Sequence, residues 1–386
     1  MNRRLTIALV AITVFLYWVG LYLYVPTLPT YAQTKTGNLA TVGMILSMYG
    51  LWQAIIRLPV GIAADWLGWR KPFILVGLTL VGLGAWLMGA ADGANGLLVG
   101  RIITGLAAGT WVPLVVMFSS LFPPRDVVRA TAWLNFIAFG GRVLATSVTG
   151  WLNEMGGYSL AFNLSAGAAV VAVLAVLVTH ESRRPPQRPS LSGLGSLTAR
   201  GDVLLPSLLS LITHYAIFAT TFGFLPILAR QLGASDAVQS ILVSMNLALG
   251  ALSSVLVTAI VDRVGARRLV YLSFVLSAMG MGLAAVATSL ASVFVAQGCL
   301  GLGFGISYPV LMGWSIQRVE EGQRTTAMGL FQSAYSIGMF AGSWVSGLLA
   351  HAIGIQPMLG VTACVCLTLG LLLTRRVDGN QVSAPV

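Results

Sequence analysis

Long apolar runs separated by short polar breaks dominate the chain. They fall near residues 5–25, 39–62, 73–91, 96–118, 129–150, 158–179, 204–228, 238–261, 269–288, 291–314, 325–348 and 353–374. Each is close to the roughly 20 residues that an α-helix needs to cross a hydrocarbon core. Several runs are rich in glycine, which close-packed membrane helices tolerate well. The first, Leu5 to Val25, follows Arg3 and Arg4 in the manner of a signal peptide. No small-x-small cleavage site ends it and eleven further runs follow, so it is read as the first span. The pattern predicts an all-α polytopic membrane protein of twelve transmembrane helices.

An even number of spans places both termini on one face. The N-terminus and the even-numbered connections carry 17 Lys and Arg, whereas the opposite face carries only Lys35 and Arg230. The positive-inside rule then puts both termini in the cytoplasm of a cell-membrane protein. Of 386 residues only 9% are charged and 57% are hydrophobic, against about 25% charged in soluble proteins. The net charge of +11 sits in the short loops, so topology accounts for it and no nucleic-acid partner is expected. Cys299, Cys364 and Cys366 lie in apolar runs without ligand spacing. Neither a metal site nor a disulfide framework is predicted.

The connection 180–203 is hydrophilic and holds Glu181-Ser-Arg-Arg-Pro-Pro-Gln-Arg-Pro-Ser190. Such a segment makes a poor helix and a natural linker. It divides the chain into a six-helix unit (1–180), a linker (181–203), a second six-helix unit (204–376) and a tail (377–386). The units echo each other. Tyr22-Leu-Tyr-Val-Pro26 is answered 200 positions later by Phe222-Gly-Phe-Leu-Pro226. Asp65-x-x-Gly68-x-Arg70-Lys71 is answered 197 positions later by Asp262-Arg-x-Gly265-x-Arg267-Arg268. Duplicated halves are a common basis for alternating access around a midplane site.

The segment Gly61-Ile-Ala-Ala-Asp65-Trp-Leu-Gly68-Trp-Arg70-Lys71 resembles the cytoplasmic signature of the major facilitator superfamily between spans two and three. Gly100-Arg101-Ile-Ile-Thr-Gly105-Leu-Ala-Ala-Gly109 looks like that family's span-four arginine with its small-residue ridge. The resemblance covers essentially the whole chain and implies two pseudo-symmetric bundles and secondary transport. It departs at Trp66, where the family often has a basic residue, and at Thr258, where the echo lacks its leading glycine. Span five, with Phe139-Gly140-Gly141-Arg142, lacks the glycine-proline motif of the family's drug and proton antiporters. The resemblance therefore carries the superfamily and leaves membership of that branch open.

Gly61 and Asp65 are four apart and share a helix face. Gly61 is expected to admit a close helix, and Asp65 to accept from a helix start near Thr325 or Thr326. With Gly68, Arg70, Lys71, Asp262, Gly265 and Arg267 they form the expected gating latch; the alternative is a tight turn with positive-inside charges.

All eleven carboxylates lie at span ends or in connections. Arg57, Arg101 and Arg142 lie within spans, Arg142 near the middle of the fifth. An unpaired arginine at that depth costs several kcal/mol, so it should meet water, helix carbonyls or a bound anion. The alternatives are snorkelling to the surface or a part in the latch for Arg57, an interfacial anchor for Arg101 and a purely structural tie for Arg142. His214 is the one deep histidine and a candidate proton carrier; a neutral histidine bonded to a neighbouring helix is the other reading. Tyr49, Gln53 and Arg57 form an i, i+4, i+8 stripe. Trp111, Asn135, Asn246, Gln332 and Tyr335 complete the candidate cavity set, with Tyr17, Gln297 and Tyr308 beside them.

The glycine run Gly298–Gly305 lacks the strand and lysine of a phosphate loop and reads as a packing ridge. No catalytic constellation is recognisable, so neither an enzyme nor a cofactor is predicted. The leading expectation is a monomeric secondary transporter of a small organic solute, with an anion favoured by the three arginines and protons a candidate coupling ion. Proton-driven multidrug efflux and a non-transporting receptor of the same fold are the alternatives.

Overall fold

A computed structural model describes residues 3–123, 126–179, 181, 200–320 and 323–377. Most of the predicted linker and tail lie outside the described residues, as do the side chains of Asp65 and Thr325. Eleven helices among the described residues are long and apolar enough to cross a membrane: α1 (Arg3–Thr36), α2 (Leu39–Ala64), α3 (Lys71–Gly89), α4 (Ala94–Ser119), α5 (Arg129–Val178), α6 (Gly201–Gln231), α7 (Asp236–Val264), α8 (Ala266–Ala285), α9 (Leu290–Gln317), α10 (Thr326–Ile353) and α11 (Ile355–Arg375). The chain is a multi-pass membrane protein.

The count differs from twelve because the runs at 129–150 and 158–179 are joined. They form one hydrogen-bonded run, Val127–Val178, of 52 residues. A straight rod of that length would measure about 78 Å, more than twice a hydrocarbon core. It is not straight. Gly156 (φ −144°, ψ 19°) and Gly157 (φ 70°, ψ 177°) leave helical backbone, and the second conformation favours glycine. Contacts with α1 reverse there. Going up, Gly141 lies against Phe15, the Thr149 hydroxyl donates to Leu23 O and Asn153 donates to Thr27. Coming back, Tyr31 meets Tyr158, Tyr24 stacks on Phe162 and Ser165 donates to Gly20 O.

The echoed sequences have echoed backbones. A 3-10 turn, Val25–Thr27, interrupts α1 at Pro26, and a π turn, Thr220–Phe224, interrupts α6 just before Pro226. Proline without an N–H suits the first turn of each restarted helix. α1 therefore continues to Thr36, well past the predicted end. Gly68 (φ 62°) and Gly265 (φ 88°) both take the positive φ that explains their repetition.

The basic residues after these glycines cap helix ends. The Glu181 carboxylate accepts from Arg70 N (3.0 Å) and Lys71 N (2.7 Å) at the start of α3, while Lys71 Nζ donates to Leu177 O (2.8 Å) and Thr179 O (2.6 Å). Acid meets a helix N-terminus and base meets a C-terminus, the arrangement the helix dipoles favour. In the second half, Arg267 Nη2 donates to Arg375 O (2.8 Å) at the end of α11.

The halves of the chain meet along α2 with α10 and α5 with α7. A Cβ on Gly43 would lie 2.7 Å from Gly347 Cα, and one on Gly50 would lie 2.6 Å from Phe340 N. A Cβ on Gly150 would lie 2.1 Å from Asp236 O. These contacts cluster near the face opposite Arg3, called the distal face below.

Candidate functional site

The site grows from three glycine-permitted approaches. Gly105 packs against Tyr49 O and Met48 O, where a Cβ would stand 2.9 and 3.0 Å away, and Gly109 packs on Ile56. This is the small-residue ridge expected after Arg101, and it sets α4 on α2. Arg101 then lies over the Tyr49 ring, 4.6 Å from its centroid, and donates through Nη2 to Leu46 O (3.4 Å). Gly141 packs on Phe15 O in the same way, with a hypothetical Cβ at 2.7 Å. Its neighbour Arg142 is thereby laid on the indole of Trp18, 3.9 Å from the ring centroid.

Arg57 lies further along α2. It is buried, and its Nη1 donates to the Tyr335 hydroxyl from the other half of the chain. Gln53, one turn earlier, is buried with Oε1 unpartnered. The predicted stripe Tyr49–Gln53–Arg57 thus runs from beneath Arg101 to Tyr335. Arg57, Arg101 and Arg142 each keep a buried Nε without a hydrogen-bond partner, and no ion pair to any of them is seen among the described residues.

Aromatic rings fill the space between. Trp18 meets Tyr17, Tyr22 and Trp111 edge-on at 5.2, 5.6 and 5.1 Å. Tyr22 in turn meets Phe222 of α6 at 6.1 Å. On the other side His214 stacks on Tyr335 (4.4 Å, 12°), with Phe304 and Tyr308 edge-on to it. His214 Nδ1 lies 2.8 Å from Ser210 O. A carbonyl can only accept, so Nδ1 carries a proton and donates within its own helix.

The remaining predicted residues disperse. Asn246 donates to Gln297 O (3.1 Å), and Gln297 Oε1 accepts from Thr221 (2.9 Å), a tie among α7, α9 and α6. Gln332 is half-buried one turn before Tyr335, and Asn135 is exposed. Of the expected latch, a Cβ on Gly61 would meet, among the described residues, Val112 Cγ1 at an ordinary 3.5 Å. Asp262 is exposed. The Asp65 and Thr325 side chains lie outside the described residues.

Sequence reasoning missed two features. One is Trp18 as the partner of Arg142, for which a lone tryptophan in an apolar run gives no signal. The other is the seam around Asp236. This carboxylate is buried and accepts from Arg230 Nη1 (2.9 Å), Asn153 Nδ2 (3.0 Å) and Gln239 Nε2 (3.3 Å). Thr30 donates to Gln239 Oε1 (3.0 Å), Gly150 N to Ser240 Oγ (2.7 Å) and Ser244 Oγ to Thr146 Oγ1 (2.9 Å). Every one of these last three bonds, like that from Asn153, joins the N-terminal half to the C-terminal half.

The family model described as Major Facilitator Superfamily matches residues 10–218 and 207–385. The chain belongs to the Major Facilitator Superfamily. An MFS-type transporter of Methanocaldococcus jannaschii is 22% identical over 375 residues, covering 95% of this chain and 97% of the relative. Multidrug resistance protein 1 of Bacillus subtilis is 21% identical over 380 residues, covering 97% and 96%. Among solved structures, a bacterial homolog of the human lysosomal transporter Spinster, inward-facing and unoccupied, superposes with a TM-score of 0.81 at 15% identity, covering 100% of this chain and 99% of that one. Superfamily members are carriers and not enzymes, and this one is a secondary transporter of small solutes.

Proposed function

We propose that the protein carries a small organic solute bearing an acidic group, by alternating access, with Arg142 as the principal anchor. The observation behind this is a set of three guanidiniums on α2, α4 and α5, one of them bonded to Tyr335 of the other half, with no carboxylate paired to any of them among the described residues. An arginine stays protonated inside a protein. Its fork suits a carboxylate or phosphate, and a solute that brings the anion offsets the burial cost only when bound.

The remaining architecture follows from the same reading. The chain crosses the membrane twelve times as two six-helix bundles, α5 supplying two spans about Gly156–Gly157, with a linker over 181–203. Both termini are cytoplasmic, supported by the 17-to-2 charge asymmetry. The distal face is then extracytoplasmic and sealed by the Asp236 seam, in keeping with likeness to an inward-facing structure. Protons are the candidate coupling ion, with His214 the candidate carrier, and the protein works as a monomer. The second reading is proton-driven efflux of hydrophobic compounds. The aromatic rings around Trp18 and the name of the Bacillus subtilis relative favour it.

The Arg142 series separates the two. Arg142→Lys keeps charge without the fork, and Arg142→Gln loses both. Thermal stabilisation of the purified forms by an acidic solute is expected to weaken in the order arginine, lysine, glutamine, by roughly tenfold or more in apparent affinity per step, the scale of about 1.5–3 kcal/mol for a charged hydrogen bond. Equal stabilisation of all three forms contradicts the acidic-solute reading.

A further inference from the structure

We infer that the solute is aromatic as well as acidic: a ring-bearing carboxylate whose ring packs at the Trp18–Tyr22–Phe222 corner while its carboxylate meets Arg142. This rests on the reading that an acidic group binds at Arg142.

The guanidinium of Arg142 lies on the indole of Trp18 at 3.9 Å, well inside the range of a cation–π contact. A guanidinium held by its flat face leaves its donor edge for a planar acceptor, which a carboxylate is. Two donors on this stacked pair, Arg142 Nε and Trp18 Nε1, are buried without a partner among the described residues. Buried donors are ordinarily satisfied, so this pair is short of an acceptor.

The surroundings of the pair are rings from both halves of the chain. Tyr22 is edge-on to Trp18 and to Phe222, and Phe218 stands 5.1 Å from Phe222. Trp18 itself is buried, whereas Tyr22, Trp111, Arg142 and Phe222 are only half-buried. The accessible surface here is therefore the guanidinium and three ring systems. Aromatic pairs gain from edge and face geometry beyond their area, which a saturated ring or chain cannot use. Organic cations are disfavoured by Arg142 and by Arg57 and Arg101 beyond it.

The test uses the purified full chain and four probes: benzoate, 2-naphthoate, cyclohexanecarboxylate and benzylamine. Thermal stabilisation is titrated for the wild type, Trp18→Leu, Phe222→Leu and Arg142→Gln. The aromatic acids are expected to act at concentrations at least tenfold below cyclohexanecarboxylate, with benzylamine inert. Trp18→Leu or Phe222→Leu should shrink that preference to within about twofold, and Phe222→Leu alone decides if the tryptophan variant fails to fold. Arg142→Gln should lose all the acids together. Equal action of cyclohexanecarboxylate and benzoate on the wild type overturns the aromatic inference and leaves the acidic reading standing. Stabilisation by benzylamine in place of the acids overturns the acidic reading itself. Failure of both aromatic acids to stabilise the wild type overturns the inference.

Discussion

Gly150→Leu is expected to hold the distal face open and to cut turnover at least tenfold. A Cβ at this position would lie 2.1 Å from Asp236 O and 2.3 Å from Ala237 N. Both are backbone atoms of a facing helix, so no rotamer change can make room, and packed interiors do not deform continuously. The helices must part. Parting them breaks the bond from Gly150 N to Ser240 Oγ and strains those from Asn153 to Asp236 and from Thr30 to Gln239. Alternating access needs each face to close in turn, so a transporter that cannot close one face stops. Labelling of a cysteine introduced at the buried Thr30, in a cysteine-free background, reports closure directly. It should react faster with an impermeant thiol reagent in Gly150→Leu than in its parent. Gly167→Leu, at an exposed glycine with nothing within 4 Å of its Cβ, should change neither labelling nor turnover. Unchanged labelling and turnover in Gly150→Leu would remove the seam from the transport cycle.

Gly305→Ala is expected to cost the folded protein itself. Its Cβ would stand 1.9 Å from Gly250 O and 2.1 Å from Ser253 Oγ. The same approach lets Ser254 Oγ donate to Gly305 O (2.8 Å) and Ser253 Oγ to Leu302 O (3.3 Å). Separating α7 from α9 enough to admit one methyl group loses both bonds and the packing around them, a loss at the upper end of the roughly 1–3 kcal/mol that overpacking usually costs. Alanine is the better helix former by about 1 kcal/mol, so the comparison with Gly313→Ala is informative. Among the described residues nothing lies within 4 Å of a Cβ at Gly313, and that variant should be as stable as the wild type or more so. Survival of the monodisperse species after a heating series in detergent checks both. A Gly305→Ala form as heat-resistant as the wild type contradicts the packing account.

Much of this was legible in the sequence because membrane helices announce themselves by length and loop charge. The echoes at Pro26 and Pro226 and at Gly68 and Gly265 were visible as residue identities. The structure supplies their cause: an interrupted helix in one case and a positive φ in the other. The ridge Gly298–Gly305 read correctly as packing. The break at Gly156–Gly157 lies where the pattern placed a loop, and the chain turns there while keeping nearly continuous helical hydrogen bonding.

The site was harder to read. Depth along a run pointed to Arg142, but which ring lies beneath a guanidinium depends on helix rotation, and rotation is set by contacts such as Gly141 on Phe15 O. Asp236 looked like an ordinary span-end acid. Its partners come from positions 153, 230 and 239, brought together only by tertiary packing. Gly61 matches a signature, and the neighbour a Cβ there would meet among the described residues is Val112, at van der Waals distance.

Gradient-driven movement of an acidic solute through the Arg142 site is directly measurable. Purified protein in liposomes, given a radiolabelled panel of organic acids and organic amines with and without an imposed pH gradient, tests it most directly. At least one acid is expected to cross faster than in protein-free liposomes, the gradient to drive it past equilibrium, and Arg142→Gln to abolish the movement. Transport of amines alone, or acid transport undiminished in Arg142→Gln, would contradict it.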